Sequence, residues 1–277
     1  MRQKEPLAGY DRSIRFHRGL LALVSKKVGR SNLISVAALA QNAILNALSA
    51  SSATVVLERG VLLPIALRQQ IYDAEAPIND VYFPLDCVLS VVARMQDGSE
   101  IEIGTIGREG MSAIPLLMGA ASTANVCYCQ VRGSAIKIPA GVFRELASSD
   151  TGFRQLLDRY MQAYVNMLGQ LAACNRLHSI NERCARWLLM TRERVDADEI
   201  PLTQEFLAMM LGTNRSGVAI AAATLQKAGF IKYAHGTIKI LDRPGLAQAA
   251  CECYEVAHAQ FAGLLRESAV VGKTANS

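Results

Sequence analysis

The side chains best suited to chemistry form one short run, Thr213-Asn214-Arg215-Ser216, directly after Gly212. None is half of a nucleophile–base or acid–base pair. They are hydrogen-bonding groups of three kinds: hydroxyl, amide and guanidinium. In the first turn of a helix such groups reach the edges of flat polar ligands. A guanidinium matches two neighbouring acceptors in one plane, as guanine O6 and N7 present them. Thr203 and Gln204, a little upstream, suit phosphate oxygens through their side chains and the N–H groups of a helix start. Lys232, His235 and Lys239 follow downstream and together fit phosphate, although each taken singly reads rather as a solvated surface charge.

Two helices must position that run. Thr203 is a fitting N-cap for a first helix whose Phe206, Leu207, Met210 and Leu211 share an apolar face, and Gly212 supplies the conformation that stops it. Thr213 is the expected N-cap of a second helix running to Lys227, with Val218, Ala222 and Leu225 inward and Gly229 at its end. Two short helices joined through a glycine make a helix-turn-helix, whose second helix enters the DNA major groove. The alternating runs Phe230–Tyr233 and Thr237–Leu241, around Ala234-His235-Gly236, predict a β-hairpin beside it.

Sulfur chemistry is the other candidate. The seven cysteines are Cys87, Cys127, Cys129, Cys174, Cys184, Cys251 and Cys253. An odd count with no secretion signal predicts reduced thiols in a cytoplasm. Cys127 and Cys129, two apart in a predicted strand, share one face and are candidates for a thiol switch; two small buried hydrophobes is the alternative. Cys251 and Cys253, on a predicted helix, should diverge around its axis. No metal-ligand spacing stands out among His17, His178, His235, His258 and the cysteines, so neither metal nor cofactor is expected. Catalytic signatures are missing too: there is no G-x-S-x-G, Walker loop, G-x-G-x-x-G or H-E-x-x-H. An enzyme is therefore not the reading; a plain interaction module, with the paired helices used only for packing, is a further alternative.

The chain of 277 residues suits two modest domains, and 51% hydrophobic residues suffice for packed cores. The net charge of +5 is mild. It is concentrated in residues 1–30, where Arg2, Lys4, Arg12, Arg15, Arg18, Lys26, Lys27 and Arg30 outweigh Glu5 and Asp11, a net of +6. This reads as a solvated basic tail, or as an arm that helps hold nucleic acid. The apolar run Gly19–Val24 is too short for a signal peptide with no cleavage pattern after it, and no stretch has the length of a membrane helix.

Upstream of the paired helices, residues 33–48 read as an amphipathic helix with Ser31 or Asn32 as N-cap. From 53 to about 140, β-rich runs beginning with TVVLERG alternate with turns, and Asp97-Gly98 marks a hairpin. That texture predicts a sandwich or jelly roll. Residues 142–178 then read as one helix. Phe153, Leu157, Tyr160, Tyr164, Met167, Leu171, Cys174 and His178 form a heptad seam, with Leu156, Ala163, Leu168 and Leu177 beside it. Leu157, Tyr160, Tyr164, Met167, Leu171 and Cys174 are therefore expected at a dimer interface, against the alternative of a helix packed within its own chain. Residues 181–195 read as helical and 196–200 as an acidic loop.

The segments LTQEFLAMMLGTNRSGV, LQKAGFI and GTIKILDRPGL resemble the C-terminal domain of the Crp/Fnr family of bacterial regulators, and the likeness extends to about residues 31–246. It implies an α+β chain: a basic tail (1–30), a cyclic-nucleotide-binding-like β jelly roll (31–150), a long dimerisation helix (151–178), a winged helix-turn-helix (179–246), and a C-terminal helix and tail (247–277). It implies a cytoplasmic homodimer on a roughly palindromic double-stranded DNA site. A small-molecule effector in the jelly roll and RNA polymerase are further implied partners.

The chain departs from that family at two places. Its cyclic-AMP binders carry a Gly-Glu-Leu turn and an Arg-Ser-Ala segment, whose Glu and Arg take the ribose and the phosphate. In the matching stretch, Ser112 or Ala113 stands near the Glu position and Ser122-Thr123 at the Arg position, with Arg108 and Glu109 expected in solvent. Without its guanidinium a buried phosphate loses a bidentate pair, so an effector pocket around Met111, Ser112, Ala113, Ser122 and Thr123 should not take cyclic AMP. The second departure is Ile220, where the family commonly has an arginine. The first cysteine being Cys87, an N-terminal iron–sulfur cluster is also excluded.

Overall fold

The computed structural model describes residues 34–262. The basic tail and the last residues of the chain lie outside that range. Three short helices come first: α1 (Val36–Leu39), α2 (Ala43–Asn46) and α3 (Ala50–Arg59). Seven strands follow, β1 (Val61–Ile65), β2 (Gln70–Tyr72), β3 (Asp80–Pro84), β4 (Val88–Arg94), β5 (Glu100–Ile106), β6 (Val126–Val131) and β7 (Gly133–Pro139), with α4 (Ile114–Leu117) after β5. They make two antiparallel sheets, ordered β1-β7-β3 and β2-β6-β4-β5, which enclose the roll's core. The Asp97-Gly98 hairpin forms as expected: Gly98 has φ +82°, and Asp97 Oδ1 accepts from the Ser99 amide and hydroxyl.

The expected single helix over 33–48 is instead two. Asn42 breaks it by capping α2 through Oδ1, while its Nδ2 donates to the carbonyls of Pro84 and Gly110 inside the roll. The run TVVLERG is helical rather than β. Ser49 caps α3 from its N-terminus and only Val56 of that run turns fully inward, so capping and a helical burial period override the β-branched residues. The helix expected over 142–178 divides into α5 (Ala140–Ser149) and α6 (Thr151–Leu177). Asp150 ends one and caps the other, accepting from the Phe153 amide through Oδ1 and from the Ser49 and Ser52 hydroxyls through Oδ2.

The last third holds α7 (Ile180–Val195), β8 (Glu199–Pro201), α8 (Gln204–Met210), α9 (Arg215–Lys227), β9 (Ile231–Ala234), β10 (Thr237–Ile240) and α10 (Arg243–Ala249), then a helical run over 253–262. The acidic stretch expected as a loop contributes β8, which joins β10 and β9 in a third sheet. Its Ile200 is fully buried, the anchor that a count of charges alone obscures. Among the described residues no single helix is long and apolar enough to cross a membrane.

Candidate nucleic-acid interface

The α8 and α9 axes differ in direction by 101°, within the range of helix-turn-helix units. Gly212, at φ +58°, makes the turn. Thr203 caps α8 as expected, accepting from the Phe206 amide. The cap of α9 is Asn214 rather than Thr213: its Oδ1 accepts from the Gly217 amide and from the Ser216 hydroxyl. Asn214 and Ser216 therefore spend polar capacity on each other, and Arg215 is the first-turn side chain left to project. Thr213 is half-buried and Gln204 opens α8, half-buried. On α9, Val218, Ala221, Ala222 and Leu225 are buried, whereas Arg215, Ser216 and Ile220 are exposed, Ile220 at 67%. One face thus holds the helix to its domain and the other stands open.

The hairpin forms as predicted. His235 and Gly236 both have positive φ, 49° and 72°, which is the two-residue type I′ turn favoured between antiparallel strands. Lys232 and Lys239 sit opposite each other across β9 and β10 and both are exposed. Two like charges in that register repel. Lys239 is relieved on its other side by Glu199 of β8, 2.8 Å away on the surface, so Lys232 is the freer cation of the two.

The unit is fastened to the roll at its back. Arg194, near the end of α7, is buried and pairs with Glu109 at 2.8 Å, while donating to Thr105 of β5. Burial opposes the Arg194 charge, but Glu109, with Glu102 and Tyr160, more than offsets it, so its pKa is raised. Arg108 Nε in turn donates to the Arg194 carbonyl. Arg108 and Glu109, expected in solvent, are thus bonding partners of α7. The reason is Gly107, beside which the Arg194 stem lies: a Cβ there would stand 2.5 Å from Arg194 Cδ. Glu102 of β5 makes a second fastening, accepting from Ser90, Gln130 and, across to α7, Trp187 Nε1. Burial pushes its carboxyl up to about 7, against the pull of those hydrogen bonds and of Arg194. On α8, Phe206 lies under Arg68 and beside Tyr128, and Met210 touches Ser90. A cleft of about 550 Å³ opens there, with Arg68, Arg94, Glu100 and Glu205 on its walls.

The residues expected to line an effector pocket do not share an open surface. Met111, Ser112 and Ala113 have no exposure. Ser112 exchanges two hydrogen bonds with the Tyr82 backbone, through its own amide and its hydroxyl. Ser122 and Thr123 lie on the loop before β6, where the Thr123 carbonyl accepts from Glu75. The side of the roll facing α6 is filled by tyrosines. Tyr160 Oη donates to the Met111 carbonyl and accepts from its amide, and a Cβ on Gly104 would lie 2.6 Å from Tyr164 Oη.

That packing covers most of the expected dimer seam within one chain. Leu157, Tyr160, Tyr164, Met167 and Cys174 are at most 5% exposed within a single chain, and Leu171 is half-buried against the same core. Gly104 and Gly110 of the roll let α6 come close enough to bury Tyr160 and Tyr164, while Cys174 is buried apart, with Cys251 and Cys253. What α6 offers outward is a different stripe, Val165, Gly169 and Ala172, all exposed.

Cys127 and Cys129 are both fully buried in β6. Burial raises the Cys127 thiol well above its usual range and pushes Cys129 up to about 12. Both are protonated hydrophobes there rather than reactive thiolates. Cys251 and Cys253 do not lie on one helix, since α10 ends at Ala249 and the next helical run starts at 253. Cys251, in that break, and Cys253, at the start of the next run, both turn inward to meet Cys174 and His178. Sequence reasoning missed this grouping because Cys174 and Cys251 are 77 positions apart.

A family model, the Crp-like helix-turn-helix domain, matches residues 182–249. No curated protein matches the chain. Among solved structures, the chain is similar to a protein from Eubacterium rectale described as a transcriptional regulator of the Crp/Fnr family, with TM-score 0.58 and 17% identity over 74% of this chain and 96% of that one. FixK2 from Bradyrhizobium japonicum gives 0.57 and 14%, over 69% and 98%. A CRP-family transcriptional regulator from Thermus thermophilus gives 0.58 and 17%, over 68% and 96%. At these identities the likeness establishes a shared fold.

Proposed function

We propose that this chain, whose residues 182–249 are a Crp-like helix-turn-helix domain and whose described residues carry the Crp/Fnr fold, is a DNA-binding transcription regulator that reads its site with the outer face of α9. The observation that carries the reading is the two-sidedness of α9: an apolar face wholly buried, and Arg215, Ser216 and Ile220 open to solvent. Arg215 takes adjacent acceptors on a guanine edge, and Ile220 suits a thymine methyl. The Thr203 end of α8 and Lys232 on the hairpin meet phosphates and set the register.

The active species is a homodimer on a roughly palindromic site in the cytoplasm, paired through the Val165, Gly169 and Ala172 stripe of α6, where small residues allow close helix approach. RNA polymerase as a partner rests on the family resemblance alone. The effector is not cyclic AMP, because Tyr160 and Tyr164 occupy the side of the roll that faces α6 and no arginine stands at Ser122. No catalytic role is assigned. The redox alternative at Cys127 and Cys129 is disfavoured by their burial.

The test is fluorescence anisotropy of the full chain with its own upstream DNA fragments over a salt series. The reading predicts an affinity that falls steeply with salt, and a Val165→Glu variant that sediments as a monomer and binds more weakly. Salt-independent binding, or none, refutes it.

A further inference from the structure

We propose that Cys174, His178, Cys251 and Cys253 form a Cys3His site for one zinc ion, which fastens the C-terminal segment to the joint between α6 and α7. The four ligand atoms all lie within 4.8 Å of one another. Cys174 Sγ is 3.5 Å from Cys251 Sγ, and Cys253 Sγ is 3.5 Å from His178 Nδ1. Tetrahedral zinc with ordinary bond lengths has ligand–ligand edges of about 3.8 Å between sulfurs and about 3.6 Å between sulfur and nitrogen. Two of the six edges thus match those of such a tetrahedron to within a few tenths of an ångström, and the other four are at most 4.8 Å.

The surroundings fit a metal better than a hydrophobic filler. The three cysteines form a small buried cluster of their own, apart from the main core. His178 Nε2 lies 3.2 Å from Glu252 Oε2, a pairing that suits Nε2 as the donor and Nδ1, beside Cys253 Sγ, as the ligating nitrogen. A carboxylate behind a ligating imidazole is the usual outer support of a zinc site. Gln170 Nε2 donates to Cys253 Sγ at 3.0 Å, the kind of N–H···S bond that steadies a thiolate. Three thiolates and a neutral imidazole on zinc carry one net negative charge. The buried Arg186 guanidinium, whose charge acts on both Cys174 and Cys251, supplies the balancing positive one.

The backbone explains how the four meet. Cys174 and His178 are one turn apart, so both face the same side at the end of α6. His178 leaves the helix with ψ 149°, and Ser179 immediately starts α7 with a capping box. Cys251 lies in the break after α10, and Cys253 opens the helical run that follows it. A metal here ties the α6–α7 joint to the far end of the DNA-binding unit. Its coupling to DNA affinity rests on the function proposed above; the site itself does not.

Tag-free full-length protein, purified under reducing conditions and stripped with a chelator, is titrated with zinc and then with cobalt. The expected result is one zinc per chain by mass spectrometry of the native protein. Cobalt should give the visible ligand-field bands of a tetrahedral site with sulfur-to-metal charge transfer, both lost in Cys251→Ser/Cys253→Ser. Glu252→Gln, an exposed change that leaves the fold intact, should keep the cobalt spectrum and weaken zinc binding by roughly 10–100-fold. Less than a tenth of an equivalent of zinc on the reduced wild-type chain overturns the proposal. So does a cobalt spectrum unchanged by the double serine variant, or a Cys174–Cys251 disulfide in a chain that takes up no metal once reduced. If the double variant does not fold, the wild-type stoichiometry and the Glu252→Gln shift decide. None of these readouts involves DNA, so the site and the proposed function fail separately.

Discussion

Arg194→Met removes the guanidinium that fastens α7 to the roll while keeping an unbranched stem to fill the space beside Gly107. The change deletes the 2.8 Å ion pair with Glu109 and the bond to Thr105, and leaves Glu109 partly buried with no cation. Breaking one side of a buried pair costs roughly 3–5 kcal/mol. The Glu109 side chain keeps 18% exposure, so water recovers part of the loss and the expected cost is about 3 kcal/mol, the low end of that range. With a urea slope near 3 kcal/mol per molar, the unfolding midpoint should fall by about 1 M. Glu109→Gln on the same background leaves no stranded charge and keeps an acceptor for the Gly107 amide, which Glu109 Oε1 now serves. The double variant should therefore recover to within about 1 kcal/mol of wild type, a strong positive coupling in the mutant cycle. A single-variant loss under 1 kcal/mol, or a double variant whose loss is the sum of the singles, refutes the role given to this pair.

Glu102 predicts a pH dependence. Its carboxyl, raised to about 7 from 4.5 by burial, holds a proton in the folded chain that the unfolded chain has released, so stability falls as pH rises from about 4.5 to 7. The loss is about 3 kcal/mol at most, and Glu102→Gln should flatten the profile of midpoint against pH in that window; an identical slope contradicts it. Gly110→Ala drives a Cβ into the Tyr160 ring, which is buried and held by Met111, and should cost about 1–3 kcal/mol in thermal unfolding. On the hairpin, Lys232→Ala should reduce the salt slope of DNA binding by about one charge. Lys239→Ala, whose partner Glu199 already neutralises it on the surface, should change the slope less; equal effects would show that Glu199 does not hold Lys239 back.

What could be read in the sequence was what short-range chemistry dictates. Thr203, Gly212 and Gly229 punctuate the paired helices, and His235-Gly236 and Asp97-Gly98 each encode a turn, because a cap or a positive φ acts within a few residues. The heptad seam of α6 was equally visible, but periodicity says only that a face is buried, not what covers it. Here the covering surface is the roll, admitted by Gly104 and Gly110. Arg108 and Glu109 looked like solvent residues for the same reason: their partner Arg194 is 85 or more positions away. Asn42 and Asp150 broke helices that pattern alone joined, since their side chains bond to backbone and hydroxyl groups of distant segments. The cysteine and histidine cluster was hidden twice, by chain separation and by the helix wrongly continued through Cys251 and Cys253.

The claim that α9 reads DNA through Arg215 is tested most directly by selecting genomic fragments on the wild-type chain and on Arg215→Ala in parallel, at two salt concentrations. The wild type should enrich a roughly palindromic motif, and the variant should stay folded, keep salt-dependent affinity for DNA in general, and lose preference at one base of each half-site, a discrimination of about 1–3 kcal/mol. An identical motif from both proteins, or no motif from the wild type, contradicts the account.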